Sequence, residues 1–147
     1  MSVFDKIRAA YPEREAAYPA DWPRPTRDEL DAIVRDFGVT YPDDFVAFQL
    51  AECHRTPMGD FACDNFGWAH PALGPMENLR HIVADARSVG VPEHLAPFRH
   101  DNGDYECCDA TGAVVVWDHN AAAVDPDPKF NWPTFSDWLV ASLDGDV

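Results

Sequence analysis

Three short apolar-rich runs separated by two turn signatures occupy residues 95–119, and they commit this part of the chain to an antiparallel meander. The first signature is Asp101-Asn102-Gly103. Asn-Gly accepts the positive φ of a two-residue hairpin connection, so 95–100 and 104–108 are expected to pair as strands. The second runs over residues 109–112. After it, Val114, Val115, Val116 and Trp117 form a β-branched, aromatic-tipped strand within 113–119.

Helical patterns lie on both sides. Residues 2–10 are predicted helical, with Ser2 as cap and Val3, Phe4 and Ile7 on the apolar face. Residues 11–25 hold Pro12, Pro19, Pro23 and Pro25 and are predicted to be an irregular arm, pinned by Tyr11, Tyr18 and Trp22. Thr26-Arg27-Asp28-Glu29 is a capping box, Leu30, Ile33, Val34 and Phe37 recur at helical spacing, and Gly38 ends that helix. A further helix opens at Tyr41-Pro42-Asp43-Asp44, with proline in its first turn and Phe45, Phe48 and Leu50 inward. Residues 76–88 form the next, burying Leu79, Ile82, Val83 and Ala86. The last starts near Thr134, carries Phe135, Trp138, Leu139 and Leu143, and stops at Gly145. Between them, 52–75 is weakly patterned, with a strand expected at Phe61-Ala62-Cys63 and a turn at Asp64-Asn65-Phe66-Gly67; 121–131 is expected to be a loop. The fold class is α+β: an antiparallel or mixed sheet meander flanked by N-terminal and C-terminal helices. The 147 residues suit one domain, with 1–25 packed on it as helix and arm.

Charge narrows the function. The chain carries a formal net charge of −15, and −9 of that falls in residues 101–147, where ten acids face one base, Lys129. The acids are threaded between strand residues and tryptophans, so a folded frame holds them. Such a surface attracts basic partners and repels nucleic acid and anionic membrane. Side chains alternate along a strand. With Tyr105 and Cys107 inward, Asp104, Glu106 and Cys108 are expected to point the other way. Asp101, Asp104, Glu106, Asp118, Asp125 and Asp127 are therefore the candidate partner-binding acids. The plainer alternatives are general solubility and, for turn aspartates such as Asp101, Asp109 and Asp118, capping of backbone N–H groups. Trp117 and Trp138 read as core. Trp68 and Trp132 lie among Gly, Asn and Pro, where each is either core or an aromatic anchor within a charged rim.

Other chemistries find little support. Cys53, Cys63, Cys107 and Cys108 show no C-x-x-C spacing and read as small core residues or exposed thiols. Cys107-Cys108 beside Asp118-His119 could hold a thiol and a base, but adjacent strand residues face opposite ways and the anionic surroundings raise a thiol pKa. Cys53, His54, Cys63 and His70 match no familiar zinc spacing. No nucleotide, hydrolase or metalloprotease motif occurs. No metal, cofactor or catalytic set is expected. Met1 to Lys6 lacks an apolar signal core, and no stretch is long enough to span a membrane, so a cytosolic protein with reduced thiols is expected. The oligomeric state is open.

The order of these pieces carries a resemblance. A helix, then Tyr41-Pro42-x-x-Phe45-x-x-Phe48, is similar to the opening of the SUKH superfamily (Smi/Knr-like proteins). Pro97-Phe98, Asp101-Asn102-Gly103-Asp104-Tyr105, Cys107-Cys108-Asp109, Gly112, the Val114 to His119 strand and Phe135-x-x-Trp138-Leu139 resemble that family's later half. The likeness spans residues 26–143; the stretch 52–59, with only Gly59, departs from the family's glycine turn. The resemblance implies a single protein-binding α+β domain and no enzyme. It further implies, for a bacterial member, an immunity protein that neutralises a cognate secreted toxin, often a nuclease, or, as in fungal relatives, a regulatory or scaffolding role. The acidic surface suggests that the toxin is basic.

Overall fold

The meander expected from the two turn signatures is the centre of the fold in the computed structural model, which describes residues 3–10, 12, 23–50 and 65–144. The described residues form five helices and five strands: α1 (Val3–Ala10), α2 (Arg27–Phe37), α3 (Asp43–Gln49), α4 (Leu79–Ser88), β1 (Ala96–Asp101), β2 (Asp104–Cys108), β3 (Val114–Asp118), β4 (Ala123–Val124), β5 (Asn131–Trp132) and α5 (Phe135–Leu143). The expected cap at Ser2, most of the proline arm with Tyr11, Tyr18 and Trp22, the strand at 61–63 and the stop at Gly145 lie outside the described residues.

The sheet is antiparallel in the order β1-β2-β3-β4, with β5 also on β3. Asn102 and Gly103 both take positive φ (51° and 91°), which is why this pair can join β1 to β2 so tightly. The stretch expected to be a loop instead runs along the outer edge of β3. It pairs with it twice, as β4 against Trp117 and Asp118 and as β5 against Val114 and Val115. A 3-10 turn at Pro128–Phe130 links the two. Strands of two residues leave no periodic signal, so the sequence reads there as loop.

One face of the sheet is covered throughout and the other at the end away from the β1–β2 hairpin, so the expected division into a core face and a solvent face holds only toward the hairpin. Tyr105, Cys107, Val115 and Trp117 pack with Ile82, Ala86, Val91 and Leu95 on one side. On the other, Ala96, Phe98, Cys108 and Val114 join the main core with Phe45, Phe48, Phe66, Trp68, Phe135 and Trp138. Cys108 is thus as buried as Cys107. That core is a cluster of aromatic rings: Phe135 meets Phe45 edge-on at 5.1 Å and Phe98 at 5.5 Å, and Phe48 stacks on Trp68 at 5.5 Å. Such geometries add about 0.5–1.5 kcal/mol per pair beyond burial.

Local chemistry fixes the helices around this core. Thr26 and Glu29 form the reciprocal box, and Gly38 closes α2 in the left-handed region. Pro42 sits one position earlier than expected, at the N-cap of α3, and Leu50 is exposed rather than inward. Residues 76–78 precede α4, because Asn78 caps it by accepting from the N–H groups of Arg80 and His81. Asp44 reaches from α3 to the start of α5, accepting from the Ser136 N–H and hydroxyl at 2.9 Å each. Gln49 is fully buried: its amide donates to the Gly67 carbonyl (2.8 Å) and accepts from the Ala69 N–H (3.0 Å), fastening α3 to residues 67–69. The Gly67 N–H in turn donates to the Phe98 carbonyl at 2.8 Å, laying this segment along the edge of β1. Burial of the Tyr41 hydroxyl, which donates to the Pro97 carbonyl at 2.5 Å, holds its pKa well above the ordinary tyrosine range.

Candidate functional site

The second face of the sheet is covered by α5 only at one end. An irregularity in β1 makes the other end polar: its register shifts between Pro97 and Arg99, opposite β2 residues Cys107 and Glu106. The bulge turns Phe98 and Arg99 to the same side. Phe98 enters the aromatic core, and Arg99 meets Glu106 beside it. Beyond that pair toward the hairpin, the face carries Asp101, Asp104 and Asp118.

A cleft of about 330 Å³ opens over this end. Arg99 and Glu106 form its floor, each under 10 % exposed. Asp101, Asp104 and Asp125 make its rim, Val116 lies between them, and Phe130 and Trp132 stand on the β5 side. The loop that pairs with β3 brings Asp125, Phe130 and Trp132 here, through the bond from the Asp125 N–H to the Val116 carbonyl at 2.8 Å. The Glu106 carboxylate is shared. One oxygen accepts from Arg99 Nη1 and the other from Trp138 Nε1. Burial holds its pKa above the usual glutamate range, and the adjacent Arg99 guanidinium pulls it back only in part.

Of the eight residues expected to bind a partner, the structure brings Asp101, Asp104, Glu106, Asp125 and Trp132 into this one cleft. Asp118 adjoins it: its carboxylate, that of Asp104 and the His119 ring offer ligand atoms within 4.8 Å of one another. Asp127 lies on the same loop, outside the lining. Two expectations change. Trp68 is fully buried in the main core, because residues 66–68 bridge to β1 and to Asn78, so it is no surface anchor. Glu106 is buried beneath Arg99 and Trp138 rather than presented at the surface, since α5 covers the face expected to meet solvent. Sequence reasoning missed Arg99, Val116 and Phe130. A lone arginine in a strand reads as a solvent-facing residue, and only the bulge turns it inward.

Turn capping accounts for part of the acids. Asp118 Oδ1 accepts from the Asn120 N–H at 2.8 Å, Asp125 Oδ1 from Asp127 at 2.9 Å, and Asp127 Oδ1 from Lys129 at 3.1 Å. Asp109 Oδ1 accepts three bonds, from the Thr111 N–H and hydroxyl and the Ala113 N–H. Asp104 Oδ1 takes the His119 N–H at 3.0 Å and lies 2.6 Å from His119 Nδ1. Every one of these bonds uses Oδ1, so capping and outward presentation of charge coexist in the same side chains.

The remaining chemistry is quiet. Burial pushes the thiols of Cys107 and Cys108 far above the ordinary cysteine range, which holds both protonated. Cys53, His54 and Cys63 lie outside the described residues. A second cavity, about 360 Å³, lies between α2 and the start of α4. Its polar groups hold the helices: Glu29 serves the α2 box, Asn78 caps α4, and Arg80 bonds Asp36 at 2.8 Å. Among the described residues no helix is long and apolar enough to cross a membrane.

Comparison with known proteins fits this fold. A family model described as SMI1-KNR4 cell-wall, SUKH_5, matches residues 2–144. The crystal structure of a protein from Pseudomonas syringae pv. tomato superposes with a TM-score of 0.70 at 22 % identity, covering 91 % of this chain and 93 % of that one. That likeness is one of fold. A search of curated proteins finds no match.

Proposed function

The chain belongs to the SUKH family described as SMI1-KNR4 cell-wall, and from that premise we propose that it is a bacterial immunity protein, which binds a cognate secreted toxin in the cytoplasm of the producing cell and neutralises it. The family includes immunity proteins and is generally non-enzymatic, made of immunity and regulatory proteins. The observation that supports the reading in this chain is the cleft, where three rim carboxylates and two aromatic rings converge on a concave part of the sheet. Carboxylates at the rim steer a basic toxin into encounter, and the rings supply contact area that slows its release. A nuclease would suit such a surface, because its active-site cations are placed to hold phosphate and would meet carboxylates instead.

Co-expression with the product of the neighbouring gene tests the reading. The expected result is rescue of growth against that product and co-purification of the two chains. A neighbour that is harmless and still co-purifies overturns the immunity role and leaves a regulatory or scaffolding domain, the alternative within the family. A toxic neighbour that this chain neither binds nor neutralises overturns the proposal as well.

A further inference from the structure

The proposed toxin-binding role makes the cleft a partner surface, and the inference here rests on that reading; the geometry points to one occupant for it, the guanidinium group of an arginine carried by the partner. The cleft, about 330 Å³, holds less than one turn, about 5.4 Å, of a helix about 10–12 Å across with its side chains, and suits one long side chain. Its charge selects a cation. Asp101, Asp104 and Asp125 line the rim, and the one base in the lining, Arg99, is already paired with Glu106. On the floor each Glu106 oxygen is already engaged, one by Arg99 and one by Trp138, so the less committed carboxylates are those of the rim.

The rim does offer acceptors. Asp104 and Asp125 spend only Oδ1 on their own backbone and on His119, which leaves Oδ2 of each for a planar fork of N–H donors. The rings add a second selection. Phe130 already takes a cation within the chain, with Lys129 Nζ standing 4.9 Å from its centroid. Lys129 is largely exposed, lies 3.8 Å from Asp127 and outside the cleft lining, and is the only lysine or arginine between residues 101 and 147, so the contact shows that this ring takes a cation without filling the cleft. Guanidinium fits better than ammonium. It is planar, weakly hydrated, stacks on aromatic faces and bonds carboxylates in pairs.

The test is an NMR titration of the intact chain, following the Trp132 indole N–H and the amides of Asp101 to Asp104. The probes are capped arginine (Nα-acetyl-arginine methylamide), capped lysine, and capped citrulline as the neutral isostere. Saturable shifts confined to the cleft are expected with arginine, weaker binding with lysine and none with citrulline. Asp101→Asn combined with Asp125→Asn should weaken arginine binding by about tenfold, and the asparagine at 125 keeps the turn acceptor intact. Lys129→Ala should strengthen it. Cleft resonances that do not move, that move equally with citrulline, or that move undiminished in the double asparagine variant overturn the assignment. The two proposals fail separately. A toxin that binds while arginine leaves the cleft unmoved removes the guanidinium and spares the immunity role; arginine binding beside a non-toxic neighbour does the reverse.

Discussion

Glu106 and Trp138 meet across the main core, the indole Nε1 donating to one carboxylate oxygen while Arg99 Nη1 donates to the other. One buried carboxylate therefore joins β1, β2 and α5 and sets where the covered half of the sheet ends and the cleft begins. Removing the cation exposes how much this depends on pairing. Arg99→Met strips the buried Glu106 carboxylate of its cation, so that it must stay charged and unpaired in a nearly dry site or take up a proton, and should cost about 3–5 kcal/mol at neutral pH. Arg99→Met with Glu106→Leu, which removes both charges, should recover most of that loss. Urea midpoints at constant slope provide the comparison; a single variant within about 0.5 kcal/mol of the parent would mean the pair is not buried as described.

The same carboxylate gives stability a pH dependence of known sign. Its folded pKa lies above the usual value because burial disfavours the charged form. The folded chain then holds that proton more firmly than the unfolded chain. Its contribution is complete below the unfolded value of about 4.3 and fades as pH rises through the folded one. Glu106→Gln cannot titrate and should flatten this part of the curve. Asp36 acts in the opposite sense and in another window. The hydrogen bond from Arg80 lowers its pKa, so its contribution is lost as pH falls below the ordinary aspartate range. Thermal melts of parent and Glu106→Gln from pH 4 upward should diverge; parallel curves would remove Glu106 as the source.

How legible this was depends on what each residue must satisfy locally. Asn102-Gly103, the Thr26–Glu29 box and Thr134 before α5 announce themselves, because a positive φ and an uncapped helix end each need particular residue types nearby. The meander and the helix order followed from these. The two-sided burial of the sheet did not. Glu106 and Cys108 look like the outer half of an alternating strand until α5 lands on them. Trp68 sits among residues typical of loops, yet Phe66 and Trp68 bridge to Arg99 and Asn78 and so lie in the core. The rim acids were legible as a group from charge alone, whereas their convergence depends on the bulge at β1 and on β4 and β5, which no short-range pattern reveals.

Among the described glycines, Gly67 leaves the least room for a Cβ. A Cβ there would lie 2.9 Å from Ile82 Cδ1 and Leu79 Cδ1 and 3.0 Å from Leu79 Cα. The two methyl groups can turn aside, but the helix backbone cannot, and Gly67 is itself held by Phe98 and Gln49. Gly67→Ala should therefore destabilise by about 1–3 kcal/mol. Gly74→Ala is the control, with nothing within 4 Å of the added carbon. It should be neutral or stabilising by up to about 1 kcal/mol. Equal urea midpoints for the two variants would contradict this packing.

Because the turn aspartates cap through Oδ1 alone, their charge and their structural role can be separated. Asparagine keeps an Oδ1 acceptor and drops the charge. Asp118→Asn and Asp125→Asn should leave stability within about 0.5 kcal/mol of the parent, while the alanine versions lose the cap and about 1 kcal/mol each. If rim charge steers a basic partner, the asparagine pair should slow association with that partner and leave dissociation nearly unchanged. Added salt should slow the parent toward the variant, since exposed charges are screened within about 8 Å at physiological ionic strength. Stopped-flow traces at low and high salt read both rates. Association of the parent that ignores salt, or that matches the asparagine pair at low salt, would mean that these carboxylates serve their turns and nothing else.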